Sequence, residues 1–177
     1  MQHEILDKTL RIIDTDTTFE KIYEKAYIPA EYIDDIKRAN LLIIPNESFR
    51  NEGDILFPET TRDYLDFVRE SSGEEIIADI AISDNDFQRI ELHSAVIEVA
   101  TTIVQLVVLP FAINIIAAFL YDLTKKYHRK PEETAAKVKI ITEETTSKKS
   151  KTIIYEGPVS GIKEALDQAT KDLFSRE

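Results

Sequence analysis

Three histidines, four glycines and no cysteine set the chemistry open to this 177-residue chain. His3, His93 and His128 stand in separate elements without ligand-like spacing, so no zinc or non-haem iron site is drawn from them. The lack of cysteine excludes a thiolate nucleophile, thiol redox chemistry and a disulfide framework. Gly53, Gly73, Gly157 and Gly161 are too dispersed for a phosphate-binding loop of the Walker or dinucleotide type, and no Gly-x-Ser-x-Gly elbow occurs. Carboxylates gather in residues 46–54, where Glu47, Glu52 and Asp54 accompany Arg50. Paired acids of that kind can move protons or hold magnesium, but a solvated acidic loop has the same composition. No catalytic, cofactor-binding or metal-ligating residue is therefore assigned, and no cofactor is expected.

The surrounding elements read as a single α+β domain over residues 1–177, with a helical subregion at 1–40 and an α+β core at 41–177. Three short helices are expected first: one carries Leu6, Leu10 and Ile13, one follows a Thr17-x-x-Glu20 capping box, and one opens at Pro29 with Ile33, Ile36 and Ala39. Four strands are then expected to form a small mixed sheet: residues 41–44, a continuous apolar run; 76–82, which alternates; and 138–142 with 152–155, a hairpin. Thr60-x-x-Asp63 opens a helix with Tyr64, Phe67 and Val68. The cluster 84–86 reads as a turn, and 87–92 as a second strand or the lead-in to a long helix. Gly157-Pro158 should end the last strand, and Ser160 should cap a final helix whose stripe is Ile162, Ala165, Leu166, Ala169 and Leu173.

Residues 99–120 form a run of 22 without one charge. The run predicts a long apolar helical region between 94 and 127 that backs the sheet, either one helix kinked at Pro110 or two consecutive helices meeting there. Its length also suffices for a membrane span. Topology argues for the buried reading: Lys125, Lys126, Arg129 and Lys130 follow the run, so the positive-inside rule would send residues 1–93, with a net charge of −12, across the bilayer. Glu98, Thr101, Thr102 and Gln105, at i, i+3, i+4 and i+7, would form a polar stripe on such a helix. A small domain has little capacity to surround a helix apolar on most sides, so Leu106, Leu109, Phe111, Ile115 and Phe119 are the expected interaction residues.

Charge is divided unevenly. Residues 1–93 hold 10 basic and 22 acidic side chains, a balance of −12; the remainder hold 12 and 11, a balance of +1, giving −11 in all. Such a surface disfavours nucleic acid and suits a basic protein partner. The first ten residues are too polar for a secretory signal, so the cytoplasm is the expected location, with the inner membrane as the alternative. The basic cluster after residue 124 allows peripheral contact with anionic lipid.

Tyr155-Glu156-Gly157-Pro158 ahead of an amphipathic helix, after an apolar helix and a β-hairpin, resembles small effector-associated accessory proteins of bacterial antiphage systems. The resemblance covers residues 94–177 and implies an adaptor or regulator of a partner effector, with no catalytic residue. The expected function is thus a non-enzymatic regulatory or protein-interaction module working through a protein partner or its own copies. The alternative is a membrane-inserted effector or anchor using 99–120.

Overall fold

The computed structural model of the chain describes residues 7–46, 56–83, 86–90 and 95–173. Strand β1, Thr9–Thr15, occupies the place where the first of three helices was expected. Leu10 and Ile13 do recur at helical spacing, but Thr9, Ile12, Ile13 and Thr15 are β-branched and suit an extended chain. Leu6 lies outside the described residues. Helices α1 (Phe19–Tyr23) and α2 (Ile33–Arg38) follow as expected, the second entered through a 3-10 turn after Pro29. The cap of α1 is Thr18, whose hydroxyl accepts from the Lys21 N–H at 3.2 Å.

Next come β2 (Leu41–Ile43), β3 (Leu56–Pro58), α3 (Thr61–Ser71), β4 (Ala78–Ile80) and β5 (Gln88–Ile90). The alternating run 76–82 thus contributes only three strand residues. β5 pairs in parallel with β3 as a separate two-stranded sheet, so 88–90 is a strand and not a lead-in. Of the expected turn, Asp86 donates its N–H to Ser83 O, while Asp84 and Asn85 lie outside the described residues.

The uncharged run is not one helix. β6 (Ile97–Glu98) ends just before it, and it holds β7 (Thr102–Gln105), a 3-10 turn at Leu106–Val108 and most of helix α4 (Leu109–Lys126). Thr101, Thr102, Ile103 and Val104 are β-branched, whereas residues from 109 onward are rich in Leu and Ala, which favour helix. Pro110 lies in the first turn of α4, where its missing N–H has no helical partner to lose. It starts the helix; it does not kink it. The supposed polar stripe falls on β6, β7 and the link between them, and Thr102 is fully buried, its Oγ 3.0 Å from the Tyr64 hydroxyl. Hydropathy could not separate these pieces, because a strand enclosed on both faces and a core helix are equally apolar.

β8 (Ala135–Glu144) and β9 (Lys149–Pro158) form the expected hairpin, longer at both ends; β9 runs through Gly157 and Pro158 instead of stopping there. α5 (Ile162–Asp172) starts at Gly161 and not at Ser160, and its stripe is buried as expected. The main sheet has the order β1-β9-β8-β7-β2-β4, with β6 also on β8. β7 and β8 are parallel neighbours joined through α4, and β2 and β4 are parallel neighbours joined through α3. The fold is α+β, with a mixed sheet and the apolar helix packed on it.

Period-two alternation sends residues of one strand to opposite faces. Leu41, Ile43, Val104, Ile140 and Ile153 meet α3, α4 and α5 in the larger core. Leu42, Ile103 and Ile141 meet α1 and α2 in the smaller one. Among the described residues, that smaller layer does not extend over the β1 and β9 part of its face, where Arg11, Ile13 and Glu156 are exposed.

Candidate interaction surface

Helix α4 lies between α3 and α5, both of which pack against it. Its inward side is fully engaged: Leu109, Ala112, Ile113, Ile116, Phe119, Leu120 and Leu123 are buried. Phe119 stands 5.3 Å from the Tyr64 ring and 5.5 Å from the Phe67 ring, centroid to centroid. Among the expected interaction residues, Leu109, Ile115 and Phe119 are therefore core, Leu106 is half-buried, and Phe111 alone is exposed.

The outward side carries a different set. Val107, Phe111, Asn114, Ala118 and Tyr121 are all exposed, at 74% for Val107, 46% for Phe111 and 37% for Tyr121. Their spacing alternates four and three, which keeps them on one line along a helix. Val107 stands in the 3-10 turn before α4, and from Phe111 to Tyr121 the strip runs about 15 Å along the helix at 1.5 Å per residue. No charged residue interrupts it; the first charges on this side are Asp122 and Lys125, beyond its C-terminal end. Phe111 is large, Ala118 small and Asn114 polar, so the strip offers a knob, a hole and a hydrogen-bonding group to an opposing surface. Sequence reasoning found the helix but took its buried side for the contact. The signal was present: once Glu98, Thr101, Thr102 and Gln105 are assigned to strands and the link between them, Asn114 and Lys125 mark the polar side of the helix, and Phe111 falls beside them.

Among the concavities elsewhere, two border β1 and the hairpin. A wide groove runs between α1, the end of β1 and the hairpin tip, lined by Asp14, Asp16, Glu20, Lys21, Lys148 and Lys151 among others. Its charges are largely matched, with Lys21–Asp16, Lys148–Glu20 and Lys151–Asp14 contacts at 3.6, 3.0 and 3.7 Å. At its floor the Ser150 hydroxyl has no hydrogen-bond partner, and the neighbouring strand position is Glu143. Burial raises the Glu143 carboxyl above the ordinary carboxylate range, opposed by a hydrogen bond from the Phe19 backbone. The second is a recess on the β1 and β9 part of the sheet face, lined by Arg11, Asn46, Glu98, Val99, Thr101, Lys137, Lys139 and Ile154. Among the described residues no three His, Asp or Glu side chains are placed to hold a metal. Glu47, Arg50, Glu52 and Asp54, together with His3 and His93, lie outside the described residues.

The Tyr155-Glu156-Gly157-Pro158 motif has a structural role. The Tyr155 hydroxyl donates to Pro158 O at 2.6 Å, and burial, reinforced by Tyr121, pushes its pKa up to about 12, keeping it a donor. A Cβ on Gly157 would stand 3.0 Å from both Lys8 Cα and the Tyr155 hydroxyl, so only glycine fits without displacement. No protein-family model, curated protein or solved structure matches the chain.

Proposed function

We propose that the protein is a non-enzymatic interaction module that binds a protein partner or its own copies through the outer strip of α4. The uncharged exposed line Val107, Phe111, Asn114, Ala118 and Tyr121 carries this reading, because 31% of the chain is charged and a free helix face of that length ordinarily takes its share. Phe111 and Tyr121 are the residue types that anchor interfaces. The resemblance of residues 94–177 to accessory proteins of antiphage systems makes a cytoplasmic defence assembly the setting of this proposal.

Membrane insertion is the second reading, since Leu106–Lys126 is long and apolar enough to cross a bilayer. Insertion would strip α4 from the sheet and uncover Val104, Val138, Ile140 and Ile153. A core helix passes the same length and composition test, so the packing favours the interaction module.

Mass measurement of the assembly purified at native expression level tests the proposal, with Phe111→Asp as the variant. The expected result is a complex or oligomer in the wild type, and a monomer with an unchanged circular dichroism spectrum in the variant. A wild type that stays monomeric at high concentration without a co-purifying protein overturns it. So does retention in carbonate-washed membranes.

A further inference from the structure

The recess on the β1 and β9 part of the sheet face gathers cations in a chain whose acids outnumber its bases 33 to 22. Its volume is about 140 Å³, room for a group of a few heavy atoms and accompanying water. The strand register builds it: Arg11 of β1 and Lys139 of β8 both oppose Ile154 of β9, one from each side. With strands about 4.8 Å apart, their backbones are about 10 Å apart, and two long side chains can converge on a group held above Ile154. Thr101, from the link into β7, lines the same recess.

These three donors are unengaged. Lys137 is held by Glu156 at 3.5 Å, but Arg11, Lys139 and the Thr101 hydroxyl have no ion-pair or side-chain hydrogen-bond partner among the described residues. Glu98, the one carboxylate lining the recess, pairs with none of them. Lys139 is partly exposed, so its ammonium can reach a group held in the recess. A guanidinium fork and an ammonium from two strands and a hydroxyl from the link before a third match the several oxygens of a tetrahedral oxyanion better than the two of a planar carboxylate.

We propose that Arg11, Lys139 and Thr101 form a binding site for a phosphoryl group. Two sources share that chemistry, free phosphate and a phosphate ester such as a nucleotide. Titrating labelled protein with inorganic phosphate and separately with adenosine monophosphate, followed by amide chemical shifts at ionic strength held constant with chloride, tests the site. Saturable shifts are expected at Arg11, Thr101, Lys139 and Ile154. Arg11→Met and Lys139→Met should each weaken binding about tenfold or more while the rest of the spectrum stays in place. Lys149→Met, at the hairpin tip, should bind as the wild type does. Tighter binding of the nucleotide assigns the site to an ester, and equal affinity assigns it to phosphate itself. Shifts that do not saturate, or that persist in the Arg11→Met, Lys139→Met double variant, overturn the proposal.

Discussion

Individual side chains show how polar groups are kept inside this fold. The Thr102 hydroxyl lies 3.1 Å from Ala100 O and 3.0 Å from the Tyr64 hydroxyl, so Thr102 donates to the carbonyl and Tyr64 donates to Thr102. Burial holds the Tyr64 phenol far above its usual pKa, and that donor is permanent. Glu143 is less comfortable. Its carboxyl is raised mainly by burial, so the folded protein keeps the proton at pH values where the unfolded chain has released it. The sign follows: protonated Glu143 costs nothing at low pH, and the penalty grows as pH rises from the ordinary carboxylate value through the raised folded one. Glu143→Gln retains an acceptor for the Phe19 N–H and removes the charge. Thermal unfolding should show the variant gaining on the wild type as pH rises from the ordinary carboxylate value of about 4 through the raised folded one, and matching it below that range. An unchanged difference across that range would mean that Glu143 is solvated in the folded state.

At the scale of elements, the boundary inside the uncharged run is the clearest case of local chemistry deciding structure. Pro110 starts α4, so Pro110→Ala should change stability by no more than about 1 kcal/mol. Ala117→Pro, in the buried middle of the helix, should cost about 3 kcal/mol or more. Urea unfolding of both distinguishes a helix start from a kinked helix, which would respond strongly at position 110. The elements legible in the sequence were those whose signal is local: residues 41–44, the 138–155 hairpin, the helix after Thr60 and the final amphipathic helix. β1 was missed because its partner is distant: Thr9 pairs with Glu156, and nothing near Thr9 announces that. β7 was missed because it adjoins a core helix and both are apolar. The outer strip of α4 was hidden by the same merging, since a helix that included Glu98, Thr101, Thr102 and Gln105 takes its polar side from them. Arg11 and Lys139 were not singled out because only strand register brings them together.

At the scale of the whole molecule, charge and apolar surface are separated, and that separation makes the mode of association testable. The acidic first half would attract a basic partner, and salt would weaken such a complex. The α4 strip carries no charge, and two copies of the chain repel each other with a net −11 apiece. Raising salt from about 0.01 M to about 1 M shortens the Debye length from about 30 Å to about 3 Å, removing long-range attraction and long-range repulsion alike. Association through Val107, Phe111 and Tyr121 should therefore survive the increase, and self-association should strengthen as the repulsion is screened. Sedimentation or light scattering across that range reads the result directly. Dissociation on adding salt would move the contact from α4 to the acidic half of the chain, and with it the function proposed for this helix.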